Sequence, residues 1–136
     1  MAGQSQVIQQ LLQAKQAADL HTPSLSQHLI TQLLVDDGFD LQGHLQALRA
    51  RLRCSRDAMQ AALQRHLGDL AHWQQPAGGM FFWLELKAAL DTLALLPHAV
   101  REGVAYVPGA AFYAQRPQPH TLRLSFATLA PQQIEE

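Results

Sequence analysis

Val7, Ile8, Leu11, Leu12, Ala14 and Ala18 recur at helical spacing while Gln9, Gln10, Gln13, Lys15 and Gln16 fill the opposite side. The chain therefore opens on an amphipathic helix. His21-Thr-Pro-Ser breaks it, because Pro23 biases Thr22 away from helical geometry and Ser24 with Gln27 has the form of a capping box. A second helix is expected to run to about Val35, with Leu25, Leu29, Ile30, Leu33 and Leu34 on its apolar side. Asp36-Asp-Gly-Phe-Asp ends it. Asp40 is a good cap for a third helix, the longest element, whose Leu41, Leu45, Leu48, Leu52, Met59, Leu63 and Leu67 repeat at threes, fours and sevens. Gly68 stands where a left-handed stop is expected.

After Trp73 the character changes. Pro76-Ala-Gly-Gly is a turn cluster, and Met80-Phe-Phe-Trp-Leu-Glu-Leu86 after it has the length and aromatic content of a strand. Alternation puts Met80, Phe82, Leu84 and Leu86 on one face and Phe81, Trp83 and Glu85 on the other. Two large aromatics beside a carboxylate suit an interface as well as they suit packing under a covering element. Asp91-Thr opens a helical segment with Leu93, Leu96 and Val100 expected inward, Pro97 kinking it or marking its start, and Gly103 ending it. Val104-Ala-Tyr-Val107 reads as a short strand closed by Pro108-Gly109. The strand, helix, strand order makes the two strands parallel if they are neighbours. His120-Thr-Leu-Arg-Leu-Ser-Phe126 is a further strand, and Pro131 suits the first residue of a last helix. The sum is a two-layer α/β arrangement: helices, then a small mixed sheet.

In the 120–126 strand Leu122, Leu124 and Phe126 point one way, and Thr121, Arg123 and Ser125 the other. Arg123 thus leaves the core on a rigid support, and its planar fork of donors matches a carboxylate in two parallel hydrogen bonds. A carboxylate-binding site is one reading; an ordinary exposed arginine is the other.

Composition narrows the field. The 136 residues suit one domain able to bury a core, and 48% hydrophobic with 15% charged residues describes a globular chain somewhat poor in charge. A net charge of -1 gives no footprint for nucleic acid, and Arg49, Arg51, Arg53 and Arg56 spread around the third helix without adjacent aromatics. Cys54 stands alone, so no internal disulfide or thiolate cluster forms. The start of the chain lacks the apolar run of a signal peptide and no later run is long enough for a bilayer, so the expectation is a cytoplasmic protein without a membrane partner. The seven histidines lack metal-ligand spacing. Gly78-Gly79 precedes a strand, unlike a phosphate loop, and Ser125 has no base placed beside it by a motif.

Four stretches together, Lys15-Gln-Ala-Ala-Asp-Leu-His-Thr-Pro-Ser24, Gly78-Gly-Met-Phe-Phe-Trp83, Gly103-Val-Ala-Tyr-Val-Pro-Gly109 and Thr121-Leu-Arg-Leu-Ser-Phe126, resemble the carboxy-terminal third of a class I and II, fold type I, pyridoxal phosphate-dependent aminotransferase. The likeness is to the branch of 2-aminoadipate and kynurenine aminotransferases. It covers nearly the whole chain, with Phe82 standing where an aliphatic residue is usual. It implies the small-domain fold of that family, with residues 1–23 an interdomain-type helix and turn and 24–136 a small domain with a three- to four-stranded mixed sheet covered by helices. It further implies that Arg123 grips the α-carboxylate of the amino acid and 2-oxo acid, that Gly78, Gly79 and Phe81 line or approach the substrate side of the cleft, and that the loop from Pro108 to Tyr113 lies near it. The turn His21-Thr22-Pro23 resembles a segment that reaches the neighbouring subunit in the family's dimers, so a homo-oligomer is expected.

The same resemblance places the Schiff-base lysine, the carboxylate facing the pyridinium nitrogen and the phosphate cradle in a large domain upstream. Only Lys15 and Lys87 occur here, and neither sits in the family's Ser-x-x-Lys type of context. The expectation is a chain cut at both ends that contributes the carboxylate-binding arginine, has no catalytic residue or metal, binds no pyridoxal phosphate alone and does not transaminate by itself. Two other readings stand beside it: the ligand-sensing part of a transcriptional regulator built on the aminotransferase fold, and an autonomous, non-catalytic module that self-associates through uncovered apolar faces.

Overall fold

The computed structural model describes residues 3–19, 21–36 and 38–135. Leu20 and Asp37, which fall within two of the motifs above, lie outside the described residues. The chain divides into two compact units, residues 1–44 and 45–136.

The first unit carries α1 (Ser5–Ala18) and α2 (Ser24–Val35), neither of which contains a buried residue. The expected capping box at Ser24 is absent. Pro23 is the N-cap, with no side-chain cap bond, because its carbonyl already accepts from Gln27 N at 3.2 Å and makes Ser24 the first helical residue. The longest helix, α3 (Leu41–Leu67), begins in this unit. Asp40 caps it as expected, its carboxylate accepting from Gly43 N at 2.9 Å.

The second unit is a four-stranded sheet, β1 (Ala71–Trp73), β2 (Phe81–Leu86), β3 (Val107–Pro108) and β4 (Thr121–Ser125), in the order β1-β2-β4-β3. Every neighbouring pair is antiparallel, so the sheet is not mixed. β2 and β3 do run in the same direction, but β4 lies between them and pairs with both. β3 starts at Val107 rather than Val104, since only Val107 and Pro108 find partners on β4. β1 has no counterpart in the sequence reading.

One sheet face carries the core. Phe82, Leu84, Leu122, Phe126 and Ala71 are buried with Leu63 of α3, and Met59, Leu67, Tyr106 and Leu124 pack against them. Phe82 and Phe126 meet edge to face at 5.7 Å, which shows how an aromatic ring fits at position 82. Gly68 does stop α3, though not in a left-handed conformation. It is a glycine of close approach, since a Cβ there would come within 2.7 Å of the Gln64 carbonyl oxygen.

The helix between β2 and β3 is α4 (Thr92–Arg101), capped by Asp91, whose carboxylate accepts from Leu93 N and Ala94 N. Pro97 lies inside it. Gly103, at φ 86°, closes it: Gly103 N donates to Val100 O and Val104 N to Ala99 O, the paired bonds of a Schellman ending. The inward face is not the one expected. Leu93 and Val100 are exposed, while Thr92 is buried and Leu96 half-buried, because the helix is anchored through Thr92. Its hydroxyl donates to Thr121 O at 2.8 Å and its carbonyl accepts from the Tyr106 hydroxyl at 2.6 Å. A short 3-10 turn (Gly109–Phe112) follows β3, and α5 (Pro131–Glu135) begins at Pro131 as expected.

Candidate functional site

Strand alternation sets the geometry. Thr121, Arg123 and Ser125 of β4 share the face away from the core with Phe81, Trp83 and Glu85 of β2, to which they are registered. Arg123 faces Trp83 across one ladder and Val107 across the other, which makes Phe81 its diagonal neighbour, within reach of a long side chain. The guanidinium carbon sits over the Phe81 ring, 4.1 Å from its centroid, and over the Phe112 ring at 4.9 Å. Both are cation-π distances. Its Nε is buried without a hydrogen-bond partner, and among the described residues Arg123 enters no salt bridge. A cleft of about 150 Å³ opens beside it, lined by Phe81, Ala105, Tyr106, Val107, Arg123 and Ser125.

Phe112 reaches the arginine because of the 3-10 turn. Gly109 packs flat on β4, where a Cβ would come within 2.7 Å of Thr121 Cβ and closer still to its hydroxyl oxygen. Only glycine allows that approach. Three residues on, Phe112 meets Trp83 edge to face at 5.5 Å, and Tyr113 lies 6.1 Å from the same indole. Trp83 thus braces the ring that covers Arg123.

The site residues singled out in the sequence divide into two groups. Arg123 and Phe81 are brought together. Gly78 and Gly79 lie in the turn ahead of β2, outside the lining of the cleft, with open space where either would carry a Cβ. The requirement for glycine at 79 is its φ of 81°. Phe112 was missed as an individual residue, although its loop was expected near the site; nothing in the local pattern distinguishes it from Tyr113.

At the other end of the same face, Glu85 Oε1 accepts from His120 Nε2 at 3.2 Å, beside His72 and Lys87. Among the described residues no three His, Cys, Asp or Glu side chains could hold a metal ion, and no helix is long and apolar enough to cross a membrane. Burial, with the Asp91 carboxylate as a second cause, pushes the Tyr106 phenol above its ordinary value.

This order of helices and strands finds its counterpart among known proteins. The chain belongs to the Aminotransferase class I and II family, whose model it matches over residues 1–136. It is 43% identical to a 2-aminoadipate transaminase of Thermus thermophilus over 131 residues, 96% of this chain and 32% of that protein. It is 39% identical to an aromatic-amino-acid aminotransferase of Thermococcus litoralis over 136 residues, again 32% of the relative. The crystal structure of the alpha-aminoadipate aminotransferase LysN of Thermus thermophilus, complexed with N-(5'-phosphopyridoxyl)-L-leucine, superposes with a TM-score of 0.80 at 40% identity, covering 98% of this chain and 34% of that one. The chain therefore spans about a third of the length of the relatives it matches.

The family depends on pyridoxal phosphate, which requires a lysine for its Schiff base and a carboxylate for its pyridinium nitrogen. The cleft beside Arg123 is lined by neither. Lys15 Nζ donates to Asp19 O at 2.9 Å, and Lys87 Nζ to Gly68 O at 3.3 Å. The cleft residues do not fit the cofactor, whereas the free donors of Arg123 fit a carboxylate.

Proposed function

We propose that this chain supplies the substrate-carboxylate site of an amino acid aminotransferase. Arg123 receives the α-carboxylate of the amino acid and of the 2-oxo acid formed from it, and Phe81 forms one wall beside it. The Schiff-base lysine and the cofactor site come from a large domain, so the chain alone binds no pyridoxal phosphate and does not transaminate. The observation that carries the reading is a guanidinium held on the face away from the core with, among the described residues, no carboxylate in contact. Among the described residues its terminal nitrogens have no hydrogen-bond partner, which leaves them available to a carboxylate in two parallel bonds.

The family match and the 43% identity to a 2-aminoadipate transaminase support an amino acid as the partner. The arginine's part is to fix the carboxylate end while the reacting carbon is presented elsewhere; a bidentate pair does this with defined direction. Gly78 and Gly79 approach the same substrate from the turn before β2, and a second copy of the protein completes the assembly.

The test is a chimaera in which this chain replaces the matching third of the Thermus transaminase. It should transaminate, and Arg123→Ala should lower kcat/KM for the amino acid by about a hundredfold, on the order of 3 kcal/mol, while leaving the Schiff-base absorbance of the bound cofactor in place. Equal kcat/KM in the two proteins removes Arg123 from the site.

A further inference from the structure

Arg123 carries a full charge on a half-exposed face, yet among the described residues no acidic side chain holds it in place. What holds it is aromatic: Phe81 from β2 at 4.1 Å and Phe112 from the 3-10 turn at 4.9 Å, the second ring braced by Trp83. The two ways of holding an arginine differ chemically. An aspartate or glutamate would take up the N–H donors in hydrogen bonds and cancel the charge. An aromatic ring attracts the charge through its π face and takes up no in-plane donor. The buried Nε with no acceptor shows the same thing from the other side, since it is closed off by packing rather than paired.

We infer that Phe81 and Phe112 are positioning residues: their rings orient the Arg123 guanidinium and leave its terminal N–H groups uncommitted for an incoming carboxylate. Phe112 is about half exposed and is not part of the buried core, so burial does not account for its place over the guanidinium. The arrangement depends on Gly109, whose missing side chain lets the turn lie on Thr121 and so carries the Phe112 ring to within reach. The inference rests on the reading of Arg123 as a carboxylate receptor and adds how that receptor is kept ready while empty.

The experiment uses the full 136-residue chain with 15N-labelled arginine, and acetate as the carboxylate probe with acetamide as its neutral match. In the wild type, ring currents should displace the Arg123 side-chain N–H resonances from those of the other arginines. Acetate should move them further, and acetamide should not. Phe112→Leu should abolish most of the displacement and weaken acetate binding about three- to thirtyfold, as expected for losing one cation-π contact. Phe112→Tyr, which keeps the ring, should restore both, and Phe112→Met, which fills space without a π face, should restore neither.

Phe112→Leu with unchanged displacement and unchanged affinity overturns the positioning role and leaves the carboxylate reading standing. Acetate that never moves Arg123 in the wild type overturns both. Should Phe112→Leu fail to fold, the wild-type spectrum decides: Arg123 resonances lying among those of the exposed arginines overturn the inference.

Discussion

At Gly109 the backbone and the Thr121 side chain are too close for a methyl group. Thr121 cannot swing aside cheaply, because it is buried and its hydroxyl donates to Gln118 O at 2.7 Å. Gly109→Ala is therefore expected to destabilise the fold by about 1–3 kcal/mol, the usual range for overpacking, and to displace Phe112 from Trp83. Urea unfolding measures the first effect and near-ultraviolet circular dichroism the second; a variant as stable as the wild type contradicts the packing described. Residue-scale reading of the sequence succeeded where alternation fixes direction, so Arg123 could be set apart from Leu122 and Leu124, and Phe81 apart from Phe82; that Arg123 and Phe81 share a face depends on the pairing of β2 with β4. It missed Phe112, since a loop side chain goes where the path of β3 and the 3-10 turn carries it, and that path is set by contact with β4.

Among the elements, α4 illustrates how a helix can be tied by polar groups at one end while its leucines face outward. Tyr106 donates to Thr92 O at 2.6 Å, and Thr92 in turn donates to Thr121 O. Tyr106→Phe should cost about 0.5–1.5 kcal/mol for the lost hydrogen bond. It should also change the alkaline limb of stability. Burial, and then the Asp91 charge, raise the folded phenol's pKa above its ordinary 10.0, so the folded state holds this proton more tightly than the unfolded chain. The stabilisation is whole below pH 10 and is lost as pH rises through the folded value. Urea midpoints taken on both sides of that pH should fall more steeply for the wild type than for Tyr106→Phe; parallel profiles contradict the assignment. The long helices were legible from periodicity, but the inward face of α4 was not. Its leucine spacing reports apolar residues without saying whether this chain covers them, and Leu93 and Val100 are left exposed. β1 was illegible for a simpler reason: Ala71-His-Trp73 is too short to show an alternation, and only pairing with β2 makes it a strand.

For the molecule as a whole, the contrast lies between a sheet that buries its core and two helices, α1 and α2, that bury nothing. β2 and β4 contain Phe82, Leu84 and Leu122, all buried, whereas α1 and α2 have no buried residue. Helices of 14 and 12 residues are marginal without tertiary support. Amide hydrogen exchange of the isolated chain should therefore be slowest in β2 and β4 and fast throughout α1 and α2. Protection in α1 equal to that in β4 would show that its apolar side is covered in solution, as self-association through Val7, Leu11 and Leu12 would do. The architecture of helices followed by a small sheet was readable because each segment's period is clear. The antiparallel order was not, since it depends on β4, last in the chain, entering between two strands already made.

The rims of the sheet carry a consequence of their own. One border strand has three residues and the other has two, the second being Pro108, whose ring nitrogen has no hydrogen to donate. Neither rim can act as a template for stacking copies through main-chain pairing. Whatever stickiness the molecule has must come from its leucine-bearing helices, and clumps formed that way would keep their helical content and lack the repeat of an amyloid fibre.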